Sequence, residues 1–536
     1  MLTLALVTAA AAMPSLPTED LAFLMQNSLQ HVDRAAKNKG CLPPRPPPQD
    51  PLPNPRCKCP PKIDSKGGPE KQFGLEVNGR ALKGVEYYYY GHFGSGQADV
   101  GELMEVYSKT CPYDFKSWGE QMHEQGQKLE ARGRTLESKG DLVGAAGAYN
   151  RASTYYRAIT HHSKPPNSKE PFGGHDGWEN YMTKSLELFG LYLKLGRSDA
   201  KKVKIPYGTT TLPGYFFNAP TATKSNSRPV LMVNPGRDSK KEDLLFVCNH
   251  AVMRDYNCLL FEGPGQGEAL IIQNLSFTPK WEVVANAAID YLVEREPGVD
   301  VDRIGLFGNS MGGYLSLRAA AHAPRLSAVI SDPATQDFFS SAQLDAMASM
   351  LCPTGWQQVA EKLEDYWTDK NETLNDWIKR LSQEHPSMFE SVFMGAYQAS
   401  EDMRQSLDYL AYIYGKMPLH QGGKVKDLMF GQVNGMDQYA MTDAELLQIQ
   451  KSVLLLGSDF DYMAAAPQVF GKLCPGAEAE QCPHEQVCPT KRPNTTGIVT
   501  HHCFKSPEDG HCQPGALLHL TEVMFAWLHE LWAPKP

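Results

Sequence analysis

The stretch RIGLFGNSMGGYL, Arg303 to Leu315, constrains this chain more than any other part of it. One serine, Ser310, is flanked by Gly308, Gly312 and Gly313. The apolar run before it reads as a strand, and "MGGYLSLRAAAHA" after it reads as a helix. A serine on so sharp a strand-to-helix turn holds a strained backbone. Glycine two residues before and two after relieves the collision across the turn. The turn lifts the hydroxyl above the sheet edge. The first amides of the helix, that of Met311 among them, then face the same point, which suits a developing oxyanion. A glycine-rich packing turn would explain the glycines but not the strand–motif–helix context.

A serine hydroxyl is a weak nucleophile until a base takes its proton. On a sheet that presents serine this way, the order along the chain is serine, acid, histidine. "VLLLGSDFDYM" offers Asp461 just past a late strand, with Asp459 as the alternative acid. "SPEDGHCQPGALLHL" offers His511 in a loop before the closing helix. His501 and His502 are rivals upstream, and His519 falls inside the helix, where packing is the simpler reading. A second oxyanion donor is expected from the loop Asn234-Pro-Gly-Arg-Asp238, with Gly236 allowing close approach and the Arg237 amide donating.

The rest of the chain fits around this centre. "VKIPYGTTTLPGYFF" reads as strand, turn, strand. "RPVLMVNPG", "DYNCLLFEG", "DRIGLFGNS", "LSAVISD" and "SVLLLGSDFD" read as further strands. "WEVVANAAIDYLVERE" between them puts Trp281, Val284, Ala285, Ala288 and Leu292 on one helical stripe. Alternating strand and helix predicts an α/β fold, a mostly parallel sheet flanked by helices. The expected divisions are a secretory signal at 1–13, a Pro- and Cys-rich arm at 14–98 and a helical N-terminal domain at 99–200. The sheet core occupies 201–334, a helical insertion 335–447, and the second part of the core 448–536, with a Cys-rich loop at 474–512. In the helical domain Trp118, Met122, Gly126 and Leu129 share one face, as do Tyr149, Ser153, Tyr156 and Ile159. The break at Ser138–Asp141 ends one helix and caps the next.

Export is suggested by three features together. The leader "MLTLALVTAAAAMPS" is too short to span a bilayer and ends in small residues. Twelve cysteines cluster at Cys41, Cys57 and Cys59, and again at Cys474, Cys482, Cys488, Cys503 and Cys512, as in disulfide-stapled loops. Sequons place glycosylation at Asn274, Asn371 and Asn494. The second cysteine cluster, with His501 and His502, could in principle bind zinc, but its spacing fits no compact knuckle. No metal or cofactor is expected. A net charge of −9 argues against a nucleic-acid partner. No segment is apolar for long enough to span a membrane. The expected partner is a small-molecule substrate, and a homodimer is compatible with the sequence.

With these residues in hand, the chain resembles the α/β-hydrolases. Within them it is most similar to the 2,6-dihydroxypseudooxynicotine hydrolase group, with the FrsA-like esterases and the polyketide-shortening hydrolases of pigment pathways. The stretches that carry the likeness are "SWGEQMHEQG…AAGAYNRASTYYRA", "LPGYFF", "NPGRDSKKED", "FEGPGQGEAL", "FTPKWEVVANAAIDYL", "GNSMGGYLSLRAAAHAPRLSAVI" and "GHCQPGA…FAWL". They span roughly residues 99–332 and 400–530. The resemblance implies the triad Ser310, Asp461 and His511, and a helical domain that caps the active site. It implies cleavage of an ester, of a carbon–carbon bond next to a carbonyl, or of a peptide-like bond, with the insertion as a lid. The leader, the proline-rich arm and the Cys-rich insertion depart from the family and suggest an exported version. Tyr155, Tyr156, Trp367 and Tyr409 could wall a partly apolar pocket. A prolyl-oligopeptidase-like peptidase is disfavoured because no β-propeller repeat is visible. A catalytically silent binding protein is disfavoured by the intact Ser, Asp and His.

Overall fold

The computed structural model describes residues 96–110, 115–162, 175–337, 374–399, 401–458, 461, 465–476, 485–488, 497–505, 511–513 and 515–533. The first described elements are four helices: α1 (Val100–Lys109), α2 (Phe115–Ser138), α3 (Leu142–His162) and α4 (His175–Gly196). Gly140, at φ +81°, makes the left-handed turn that ends α2. Asp141 then accepts the Gly144 N–H at 2.9 Å and starts α3. Both predicted stripes face inward. Trp118, Met122 and Leu129 on α2 and Tyr149, Ser153, Tyr156 and Ile159 on α3 are buried. Gly126 leaves room for the Tyr156 ring, which a Cβ there would meet at 3.1 Å.

The sheet follows: β1 (Ala200–Tyr207), β2 (Thr210–Phe217), β3 (Arg228–Asn234), α5 (Leu245–Met253) and β4 (Asn257–Phe261). Then come α6 (Gly267–Ile271), α7 (Trp281–Arg295), β5 (Val299–Asn309), α8 (Met311–His322) and β6 (Ala328–Asp332). The insertion carries α9 (Leu374–Glu384), α10 (Pro386–Ala399), α11 (Glu401–Ile413) and α12 (Val425–Phe430). The chain returns through α13 (Asp443–Leu446), β7 (Ser452–Ser458), α14 (Ala466–Leu473), β8 (Glu485–Val487), β9 (Val499–Phe504) and α15 (Leu517–Trp532).

Among the described residues, nine strands pair in the order β1-β2-β4-β3-β5-β6-β7-β9-β8. From β4 to β9 the pairings are parallel, while β1–β2, β2–β4 and β8–β9 are antiparallel. The central strands are buried along both faces, so their sequences read as unbroken apolar runs. One face packs Leu231, Leu260, Phe307, Ile330 and Leu456 against α4, α5 and α15. The C-terminal ends of β3, β5, β6, β7 and β9 lie along one edge, where the chemistry of such sheets collects.

Two compact units divide the chain. One holds the sheet with α1–α8 and α13–α15. The other holds the described parts of 339–412 and 416–437. Within the second unit, the Glu390 carboxylate accepts the first amides of α12, from Val425 at 3.1 Å and Lys426 at 2.8 Å. Tyr397 donates to Asp408 at 2.9 Å, and Asp408 also accepts the Leu419 N–H at 3.2 Å.

The cysteines differ in part from expectation. Cys474 pairs with Cys488, and Cys503 is also disulfide-bonded, which takes up three of the candidate zinc ligands. Among the described residues no group of three or more His, Cys, Asp or Glu side chains is placed to hold a metal. Cys512 is a free, buried thiol rather than a staple, its Sγ 3.6 Å from the Asp332 carbonyl. Cys248 of α5 pairs with Cys258 of β4, a bond that the sequence reading did not anticipate. The leader, the proline-rich arm and Cys482 lie outside the described residues. No described helix is long and apolar enough to cross a membrane.

Candidate active site

Ser310 lies between β5 and α8 at φ +59° and ψ −127°, a region that L side chains rarely adopt. Its N–H donates to the Asp332 carbonyl at 2.6 Å, and its own carbonyl accepts the Gly313 N–H at 2.8 Å. The three glycines clear three different obstacles. A Cβ on Gly308 would overlap the carbonyl of Gly312 across the turn, as the sequence suggested. One on Gly312 would meet the Pro235 carbonyl at 2.8 Å, and one on Gly313 would overlap the Pro333 carbonyl. So Gly312 makes room for the loop after β3, and Gly313 for the end of β6, rather than for the turn itself.

Ser310 Oγ is 2.8 Å from His511 Nε2. His511 Nδ1 is 3.0 and 3.1 Å from the two carboxylate oxygens of Asp461. Those partners assign the tautomer: Nδ1–H donates to the carboxylate, leaving Nε2 to accept the serine proton. Asp461 follows β7 with its side chain fully buried, whereas the His511 side chain is 25% exposed. Burial works against the imidazolium, but the charge and hydrogen bond of Asp461 outweigh it, helped by Asp332 and Asp238. Together they hold the His511 pKa above its ordinary value. Asp459 lies outside the described residues.

The loop after β3 comes against the serine at Gly236. A Cβ there would meet Ser310 Cβ at 2.5 Å and Oγ at 3.0 Å. The Gly236 N–H is engaged within the loop by Ser239 Oγ at 3.0 Å. Three anchors fix this loop, and the sequence reading assigned none of them. Gln266 donates to the Gly236 carbonyl at 3.1 Å and accepts from Asn234 at 2.9 Å and from the Gly263 N–H at 2.8 Å. Lys241, fully buried, contacts Glu242, Glu262 and Glu268 at 2.9, 3.1 and 2.9 Å. Burial pushes the Glu262 carboxyl up even with Lys241 beside it. Arg157 of α3 pairs with Asp243 at 2.5 Å, both side chains buried. The stretch "FEGPGQG" held the signal for Glu262 and Gln266, since a polar residue inside an apolar, glycine-rich run is placed for a partner.

The remaining candidates fall elsewhere. His501 and His502 sit on β9. His501 is fully buried, with neither ring nitrogen hydrogen-bonded, and burial pushes its pKa down to about 4. His519 packs its ring against those of His502 and Phe504, at 5.9 and 5.1 Å. Tyr155 and Tyr156 lie in the core of the helical bundle and bond to Glu102 and Glu130. Asn274 is exposed, at φ +56°. Asn371, Asn494 and Trp367 lie outside the described residues.

No family model matches the chain. It is 36% identical over 250 residues to "Hydrolase LUC6" of a Fusarium species, a match covering 45% of this chain and 58% of that one. It is 36% identical over 244 residues to "Alpha/beta hydrolase psoB" of Aspergillus fumigatus, covering 44% and 54%. The chain thus matches little more than half the length of these relatives. The crystal structure of 2,6-dihydroxy-pseudo-oxynicotine hydrolase aligns with a TM-score of 0.54 and 15% identity, over 83% of this chain and 96% of that one. With strand order, serine turn and neighbours in agreement, the chain has the α/β-hydrolase fold, and its sequence is similar to fungal proteins named as hydrolases of that fold.

Proposed function

We propose that the protein is a serine hydrolase that cleaves a carboxylic ester, or a carbon–carbon bond next to a carbonyl, through an acyl-enzyme. The observation that carries this reading is the run of contacts from Ser310 Oγ to His511 Nε2, and from His511 Nδ1 to Asp461. Ser310 Oγ attacks the substrate carbonyl carbon as its proton passes to Nε2. The carbonyl oxygen becomes an oxyanion facing the amides of Met311 and Arg237, where losing one donor costs about 3 kcal/mol. The imidazolium, held by Asp461, gives its proton to the departing alkoxide or carbanion. Water then attacks the acyl-enzyme with His511 as base and restores the serine.

The substrate is read as mid-sized and partly apolar, after the family resemblance. The Cys248–Cys258 and Cys474–Cys488 disulfides support a secretory-pathway location. The exposed Asn274 in its sequon fits glycosylation there. A fluorophosphonate probe tests the enzyme. It should label the wild type and not Ser310→Ala, whereas equal labelling of both, or of neither, would defeat the reading. Aryl esters compared with β-diketones, assayed on the purified protein, then separate ester from carbon–carbon cleavage.

A further inference from the structure

Directly behind the triad lies a second carboxyl group that the mechanism above does not use. Asp332, the last residue of β6, is fully buried, and neither of its carboxyl oxygens makes a hydrogen bond among the described residues. A buried carboxyl is costly, and apart from His511 only the side chains of Asn309 and Gln513 stand beside this one to favour its charged form, so its retention calls for a reason. Its backbone already serves the site. The Asp332 carbonyl accepts the Ser310 N–H at 2.6 Å and faces the Cys512 thiol at 3.6 Å. It therefore touches both the nucleophile's turn and the residue that follows the histidine.

The groups around its side chain come from three elements. Asn309 reaches it from the end of β5. Asp461 reaches it from the loop after β7, and His511, Cys512 and Gln513 from the loop before α15. The amide of Gln513 is buried, and it favours the charged form of Asp332. Cys512 and Gln513 are held at φ +61° and +49°, a left-handed pair that turns the chain back onto Asp332. The thiol of Cys512 is kept protonated by burial, which leaves Asp332 and His511 as the shifted groups here that can exchange a proton.

Resting on the serine hydrolase reading, we propose that Asp332 is a second acid of the site, a positioning residue whose carboxylate shares with Asp461 the stabilisation of the His511 imidazolium. The electrostatics agree in direction. Burial first, and repulsion from Asp461 second, push the Asp332 pKa up to about 7, while His511 pulls it back. Reciprocally, Asp332 favours the charged form of His511. Asp332 and His511 therefore titrate as a coupled pair beside the charge of Asp461.

The test follows the imidazole resonances of His511 through a pH titration of the purified, histidine-labelled protein. It compares the wild type with D332N and D332S, and follows fluorophosphonate labelling rates in parallel. The expected result is a His511 midpoint lower by about half a pH unit or more in either Asp332 variant. D461N should keep residual labelling that falls by a further tenfold or more in D461N/D332N. A His511 midpoint unchanged in both Asp332 variants overturns the proposal. So does residual labelling in D461N that is indifferent to Asp332. Absence of labelling in the wild type would instead defeat the hydrolase reading alone, because the His511 titration reports on Asp332 without any turnover.

Discussion

At the scale of residues, the competition at His511 sets a measurable pH dependence. Its ring loses water on burial but feels the carboxyl groups of Asp461, Asp332 and Asp238, and the carboxyl groups win. In the proposed reaction the base must be neutral to accept a proton, so a raised pKa should move the acid limb of kcat/KM upward, to a midpoint above the ordinary 6.5. Asp461→Asn removes the nearest charge. The midpoint should then move to lower pH, and the plateau should drop by roughly 10³–10⁴-fold. A pH–rate profile on a chromogenic ester reads both. A wild-type midpoint below 6.5 would mean that burial dominates. The three residues were legible in the sequence because each is tied to a local pattern: the glycine-bracketed turn, the acid after a late apolar strand, the histidine before the last helix. Asp332 was not legible. It ends an ordinary buried strand, "SAVISD", and only the register of β6 between β5 and β7 brings it behind the triad.

Elements were read well where hydrophobic period spoke plainly and missed where it did not. β3 to β7 and the long helices followed from apolar runs and stripes. β9 went unread because "VTHHCF" breaks its run with two histidines, though His501 is as buried as any valine would be. The role of the loop after β3 was half legible: Gly236 was expected to approach the serine, and it does. The charges that hold the loop were invisible, because Lys241, Glu262 and Glu268 are distributed over a loop, a strand end and a short helix. Lys241→Met should expose their interdependence. Three carboxylates would lose their shared cation, and breaking such a buried set costs about 3–5 kcal/mol. The folded state would then hold protons that the unfolded chain releases. Thermal unfolding should therefore show a larger loss of Tm at pH 8 than at pH 5. Equal losses at both would mean that the carboxyl groups are already neutral.

At the scale of the whole molecule, covalent bonds add to the packing. The Cys248–Cys258 bridge ties α5 to β4 beneath the loop after β3 and closes a loop of 10 residues. Replacing both cysteines with alanine should lower stability by roughly 2–3 kcal/mol through the freed unfolded chain. Denaturant unfolding of the double variant measures this. Peptide mapping of the native protein without reduction should recover this pair and Cys474–Cys488 as linked fragments. Free thiols at all four would place the protein in a reducing compartment. The helical bundle and the sheet are joined by something less visible than a disulfide. Arg157 of α3 and Asp243 of the loop neutralise each other out of reach of water. Neither position can drift alone, since a lone change strands a charge in the interior. Over evolutionary time the two sites must move together, as a swapped pair of charges or as two apolar side chains. A bundle transplanted from a relative would carry its own half of that agreement into the loop that faces Ser310.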